Sequence, residues 1–184
     1  MVKLAAEEAQ RLLARIIARD EDALRELHGR FARGVFAFAW QRLRDDDAAE
    51  TVVADTFLEI WRNASRFRGE SQLSSWIFGI ARNIASNMLR SRGPETDELD
   101  EAMPAEGLGA FEEVAQKELR EHIQRCLEVL SDVQRECLLL VFYEGLSLAE
   151  VAGVQGCPEN TVKTRLFHAR RNIKECVGRL REHA

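Results

Sequence analysis

The stretch GCPENTVKTRLFHARRNI, Gly156 to Ile173, sets a turn signal in front of a run in which cations alternate with apolar residues. Thr161, Lys163, Thr164, Arg165, Phe167, His168, Arg170 and Arg171 offer guanidinium and ammonium groups to phosphates, hydroxyls and an imidazole to base edges, and one aromatic face. From Thr161 to Ala184 there are 7 basic and 2 acidic residues. A second concentration lies between Arg62 and Arg92, with 6 basic residues against Glu70 alone. Its segment RFRGESQLSSWIFGIARNIASN sets Arg66 and Arg68 beside Phe67, Trp76 and Phe78. Single-stranded nucleic acid calls for this mixture, because phosphates need cations and unstacked bases need aromatic or amide partners. Each stretch also has a plainer reading, a solvated basic hairpin for the first and ordinary core aromatics for the second.

Residue patterns for catalysis are missing. There is no P-loop, no H-E-x-x-H and no arrangement of Ser, His and Asp that supports a nucleophile. His28, His122 and His183 read as surface or packing residues. Cys126, Cys137, Cys157 and Cys176 contain no C-x-x-C pair, and in a reducing compartment they read as buried free thiols. The competing reading is zinc: His122 and Cys126, four apart, share a helix face and supply two ligands, with the other two unidentified. The expectation is a binding protein and not an enzyme, with no metal, no cofactor and no small-molecule substrate.

The elements that must hold these residues read as helices. In DEDALRELHGRFARGVFAFAW, the residues Leu24, Leu27, Phe31, Val35 and Phe38 recur at three and four, with Asp20 or Asp22 placed to cap the start. A second helix follows Asp45 to Asp47, with Val52, Val53, Thr56, Phe57, Ile60 and Trp61 on its apolar side. A third runs from about Ser74 to Arg92. Leu119, Ile123, Cys126, Leu127 and Leu130 make a further stripe, and CLLLVFY, Cys137 to Tyr143, is assigned to a buried helix because no partner strand exists. Ser147 to Glu150, SLAE, is a capping box that opens a short helix. After GVQGC, Pro158 suits the first turn of another helix, whose Val162, Leu166, Ala169, Ile173 and Val177 are spaced for burial. A short helix, a glycine-bearing turn and a longer basic helix form a helix-turn-helix, whose second helix enters the major groove by its N-terminal residues.

The net charge of −5 conceals an uneven distribution. Residues 1–92 carry 15 basic and 13 acidic groups, residues 93–115 none and 8, and residues 116–184 11 and 10. The middle segment, GPETDELDEAMPAEGLGAFEEVA, also holds Pro94 and Pro104, so it reads as an extended acidic linker between two weakly basic lobes. The fold class is all-α: a helical domain over 1–92, the linker over 93–115 and a helix-turn-helix domain over 116–184. The longest apolar run falls far short of the ~20 residues that a membrane helix needs. The interleaved charges of the N-terminus do not read as a signal peptide. A cytoplasmic protein without membrane insertion is expected.

Three segments carry a family resemblance. AETVVADTFLEIWRN, FRGESQLSSWIFGIARNIASNMLR and LSLAEVAGVQGCPENTVKTRLFHARRNIK resemble, in that order, regions 2.2, 2.3 to 2.4 and 4.2 of the extracytoplasmic-function (ECF) sigma factors of bacterial RNA polymerase. The resemblance spans about Ala23 to Leu180 and implies a transcription initiation factor that binds core RNA polymerase and promoter DNA. It implies a docking edge on core polymerase at Asp55, Thr56, Phe57, Glu59 and Trp61. It implies capture of the single-stranded −10 element by Arg66, Phe67, Arg68, Ser74, Ser75, Trp76, Arg82 and Asn83, with Arg82 facing phosphate and Asn83 a base edge. The −35 duplex falls to Thr161, Lys163, Thr164, Arg165, Phe167, His168, Arg170 and Arg171. A cognate anti-sigma factor is a further implied partner. Gly79, Asn160 and His168 depart from the family's usual residues and bear on base preference. The alternative is a conventional helix-turn-helix regulator that binds duplex DNA as a dimer without core polymerase.

Overall fold

The computed structural model describes residues 4–92 and 123–182; the acidic segment over 93–115, Leu119 and His122 lie outside the described residues. Among the described residues all regular structure is helical. In the N-terminal lobe, α1 (Ala6–Ile17) buries Ala9, Leu12, Leu13 and Ile16 at helical spacing. A left-handed Arg19 (φ 66) ends the connection, and Asp20 caps α2 (Glu21–Leu43) by accepting from the amides of Asp22 and Ala23 at 2.9 and 3.2 Å. Asp45 does the same for α3 (Asp46–Asn63), taking the Ala48 amide at 2.8 Å. A 3-10 turn (Ala64–Arg66) leads through an irregular stretch to α4 (Leu73–Arg92). α2 packs on both α3 and α4. Phe38 and Phe78, each almost wholly buried, meet edge to face at 5.6 Å between ring centroids at the middle of this core.

The C-terminal lobe begins at helical residues 123–128. α5 (Asp132–Leu138) starts behind Ser131, whose amide donates to Gln134 Oε1 at 3.2 Å. It continues as a π-helical turn, Leu139–Tyr143, so the apolar run is helical as expected but widened at its end. The expected capping box is present: Ser147 accepts from the Glu150 amide at 3.3 Å and donates its own amide to the Glu150 carboxylate at 2.6 Å. It opens α6 (Leu148–Gln155). Gly156 ends that helix at φ 62, where a side chain would be strained, and α7 (Glu159–Glu182) follows Pro158.

Two expectations change. Cys126 and Cys176 are not free thiols but a disulfide closing 50 residues of chain; Cys137 and Cys157 remain free. Helical spacing put Val177 on the buried face, yet Val177 is exposed and Cys176 is buried. Beyond Ala169 the helix outruns the core beneath it, and the bridge to Cys126 becomes its anchor. The lobes also share one hydrophobic core, in which Leu140, Val151 and Val162 join Phe38 and Phe78.

Candidate nucleic-acid interface

The outward face of α7 is built by subtraction. Val162, Leu166 and Ala169 turn inward against α5 and α6, which leaves Asn160, Lys163, Thr164, Phe167, Arg171 and Lys174 exposed at intervals of three and four. Phe167 is 64% exposed, far more than its packing requires, and stands edge-on to His168 at 5.5 Å. Lys163 rests on Glu159 at 2.8 Å and Arg171 near Glu175 at 3.8 Å. Both pairs are solvent-exposed and cost little to exchange for a phosphate. The Thr164 hydroxyl donates back to the Asn160 carbonyl at 3.0 Å. Thr161 and His168 are half-buried at the edges of this face.

Two of the expected cations are otherwise engaged. Arg165 turns into the helix-turn-helix elbow, donating to Gln155 Oε1 at 2.5 Å and to Cys157 Sγ at 3.4 Å. Gln155, buried and last in α6, donates in turn to the Val133 carbonyl at 3.1 Å. This chain of bonds fixes the angle between α6 and α7. It went unread in the sequence because Gln155 belongs to no pattern. The Cys137 thiol donates to the same Gln155 oxygen at 3.1 Å; burial pushes it up to about 11, so it stays protonated at neutral pH. Arg170 lies over the Phe142 ring, 5.0 Å from its centroid, but it and that ring are both exposed.

In the N-terminal lobe, Arg66 at the end of the 3-10 turn and Arg68 on the loop that follows it are both exposed. Phe67 leans on Trp76 at 5.4 Å, and both are half-buried. Ser74 is half-buried; Ser75 is buried, and its hydroxyl has no hydrogen-bond partner among the described residues. Arg82 and Asn83 diverge, as neighbours on a helix must. Arg82 points to Glu136 of the other lobe, Nε to Oε1 3.0 Å. Asn83 instead lines a cleft of about 410 Å³ between α3 and α4, together with Asp55, Leu58, Glu59 and Arg62.

That cleft gathers part of the expected docking edge. Asp55 is exposed and Glu59 half-buried, but Thr56 and Phe57 are buried at 0% and 5% exposure and present no surface to a partner. On α3 they sit one position from the outward stripe, where the helical period turns them into the core. Leu58, 41% exposed, and Arg62 take their place on that stripe. Trp61 is half-buried beneath Arg19, whose guanidinium lies 5.1 Å from its ring centroid and donates to its carbonyl at 2.8 Å.

Comparison with known proteins agrees with both lobes. Residues 27–95 match the model of Sigma-70 region 2, and residues 120–173 that of Sigma-70, region 4. The chain is 31% identical over 179 residues to the ECF RNA polymerase sigma-E factor of Escherichia coli K12, covering 91% of this chain and 93% of that one. It is 28% identical over 182 residues to the ECF RNA polymerase sigma factor SigK of Mycolicibacterium vanbaalenii, covering 95% and 92%. Among solved structures it is similar to the sigma factor RpoE of Bartonella quintana in complex with the anti-sigma factor NepR, with TM-score 0.69, 27% identity and coverage of 84% of this chain and 96% of that one. CnrH, solved with the cytosolic domain of CnrY, shares the fold at TM-score 0.67 and 22% identity, covering 91% and 95%.

Proposed function

The chain belongs to the ECF RNA polymerase sigma factors, and we propose how its surfaces divide that work. It binds core RNA polymerase and directs it to promoters. The conventional dimeric regulator is set aside, because both lobes match sigma-70 regions and the relatives spanning over nine-tenths of the chain are sigma factors. The observation that carries the assignment of surfaces is the exposed basic face of α7 behind a capped α6 and the Gly156 turn. We assign this face, from Lys163 through Lys174, to the major groove of the −35 element. Lys163 and Arg171 would bind phosphates, and Thr164, Phe167 and His168 would face base edges. Arg165 serves chiefly to hold the elbow.

The stretch from Arg66 to Trp76 is assigned to the unstacked −10 strand. The exposed arginines bind its backbone, and the Phe67–Trp76 pair offers a stacking platform. The cleft of Asp55, Leu58, Glu59 and Arg62 is the docking face for core polymerase, where Leu58, Ile80 and Ile84 supply apolar lining beside charged groups. Asn83 opens on this cleft and so belongs with docking as much as with strand capture. The chain itself contributes binding energy to promoter opening, while the chemistry of RNA synthesis stays with the polymerase. No helix among the described residues is long and apolar enough to cross a membrane; we place the protein with the polymerase in the cytoplasm. An anti-sigma factor is a partner by the same kinship.

Co-purification with core polymerase tests the docking face. Leu58→Glu should weaken core binding by about tenfold or more, while duplex DNA binding by α7 and the thermal unfolding profile stay unchanged. Wild-type core binding by Leu58→Glu would remove the cleft from the assignment.

A further inference from the structure

The seam between the lobes is polar as well as hydrophobic, and its centre is one carboxylate. Glu136, on α5 of the C-terminal lobe, has a side chain only 1% exposed. One of its oxygens pairs with Arg42 of α2 and the other with Arg82 of α4, the latter at 3.0 Å. Arg42 also donates to the Ser86 hydroxyl at 3.1 Å. Seen from the N-terminal lobe alone, Arg42, Arg82 and Ser86 form a preformed anion site: two guanidinium groups converging on one position, with a hydroxyl at its side. A phosphodiester, like a carboxylate, presents two oxygens that share a single negative charge, and paired arginines suit either.

The rest of the seam is imperfect. Arg135 reaches across it to the Gln41 carbonyl at 3.3 Å while holding Leu127 and Leu130 in its own lobe at 3.1 Å each. Glu144 lies against Gly34 of α2 so closely that a Cβ there would collide with its carboxylate. Gln41 Oε1 and Arg42 Nε are buried without a hydrogen-bond partner among the described residues, which costs free energy that separation of the lobes returns. A buried ion pair of this kind selects an arrangement more than it strengthens one.

We infer that Glu136 is an intramolecular stand-in for a DNA backbone phosphate. It closes the chain on itself by occupying the Arg42–Arg82 site, and that site binds the backbone of single-stranded promoter DNA once the lobes part. The inference rests on the sigma-factor reading and adds to it a self-inhibited closed state and one more phosphate-binding residue, Arg42. In the closed state Arg82 is unavailable to DNA, so the free chain binds it weakly. The apparent affinity of the site is reduced by the fraction of molecules that are open.

The test uses the full chain, X-ray scattering in solution and a fluorescein-labelled single-stranded DNA 20-mer of mixed sequence. Glu136→Gln should enlarge the radius of gyration and tighten binding of the oligonucleotide by about tenfold. Adding Arg42→Ala to Glu136→Gln should abolish that gain without reclosing the chain. Unchanged scattering and affinity in Glu136→Gln would overturn the inference, and expansion without tighter DNA binding would overturn the phosphate assignment within it. Should Glu136→Gln fail to fold, the Arg42→Gln, Arg82→Gln double variant, which leaves Glu136 without a cation, is expected to be expanded; a compact double variant refutes the latch. Promoter-dependent transcription with core polymerase is measured in parallel. Its absence from both wild type and Glu136→Gln would instead sink the sigma-factor reading, whereas intact transcription with unchanged scattering sinks the latch alone.

Discussion

Breaking the Cys126–Cys176 bridge should loosen the DNA-reading lobe more than any single exposed substitution on it. The bridge ties the helical residues 123–128 to α7 across a sequence separation of 50, and both cysteines are buried, at 2% and 8% exposure. Closing a loop of that length removes chain entropy from the unfolded state worth about 4 kcal/mol at 25 °C, an amount that residual structure in the unfolded chain reduces. The native state loses a further anchor, because the C-terminal half of α7 has little else to pack on: Val177 is 41% exposed. The assay is urea unfolding, followed by circular dichroism, of the oxidised wild type, the reduced wild type and Cys126→Ala. The oxidised protein should be the most stable by up to about 4 kcal/mol, and Cys126→Ala should match the reduced wild type with or without reductant. Equal midpoints for oxidised and reduced wild type, or a Cys126→Ala protein as stable as the oxidised wild type, would refute the reasoning.

Alkylation of the unreduced native chain, mapped by mass spectrometry, should label Cys157 and spare Cys137, whose thiol is buried and whose pKa is pushed up to about 11. Labelling of Cys137 at the rate of a free thiol would contradict its placement. Burial raises the Glu144 carboxyl above the ordinary glutamate range. Its contribution to stability is therefore complete below the unfolded value of about 4 and is lost as pH rises through the folded value. Glu144→Gln should consequently gain stability over wild type at pH 7 and lose that advantage near pH 4; a pH-independent difference would refute the assignment. Lys163→Ala should lower the magnitude of the salt slope for duplex DNA binding by about 0.9, the loss of one phosphate contact. An unchanged slope would move the contact elsewhere on α7.

The helices of this protein were legible because their signals are local. Leu27, Phe31, Val35 and Phe38 repeat at the helical period, Asp20, Asp45 and Ser147 sit where caps belong, and Gly156 stands at the one turn of the reading motif that needs a positive φ. α1 carries the same period in Ala9, Leu12, Leu13 and Ile16, but its interleaved Glu7, Glu8, Arg11 and Arg15 and its lack of a side-chain cap leave it without a clear sequence signal. The basic face of α7 could be read as far as Lys174, but the fate of Arg165 could not. Whether an arginine faces DNA or an elbow depends on Gln155, ten positions away and in another helix. Thr56 and Phe57 lie on the docking helix but turn inward, a matter of one position in the period that the motif does not mark. The disulfide and the Glu136 latch join residues 50, 54 and 94 positions apart. No spacing rule reaches across such distances, and only the packed chain reveals them.

Run-off transcription on genomic DNA fragments with purified core RNA polymerase, in the presence and absence of this chain, tests the central claim most directly. Core polymerase alone should give only weak, promoter-independent product. Adding the folded chain should produce discrete transcripts with defined starts, and Leu58→Glu should need at least about tenfold more protein to give the same yield. Core polymerase that neither binds the folded chain nor gains a single defined start would contradict the account.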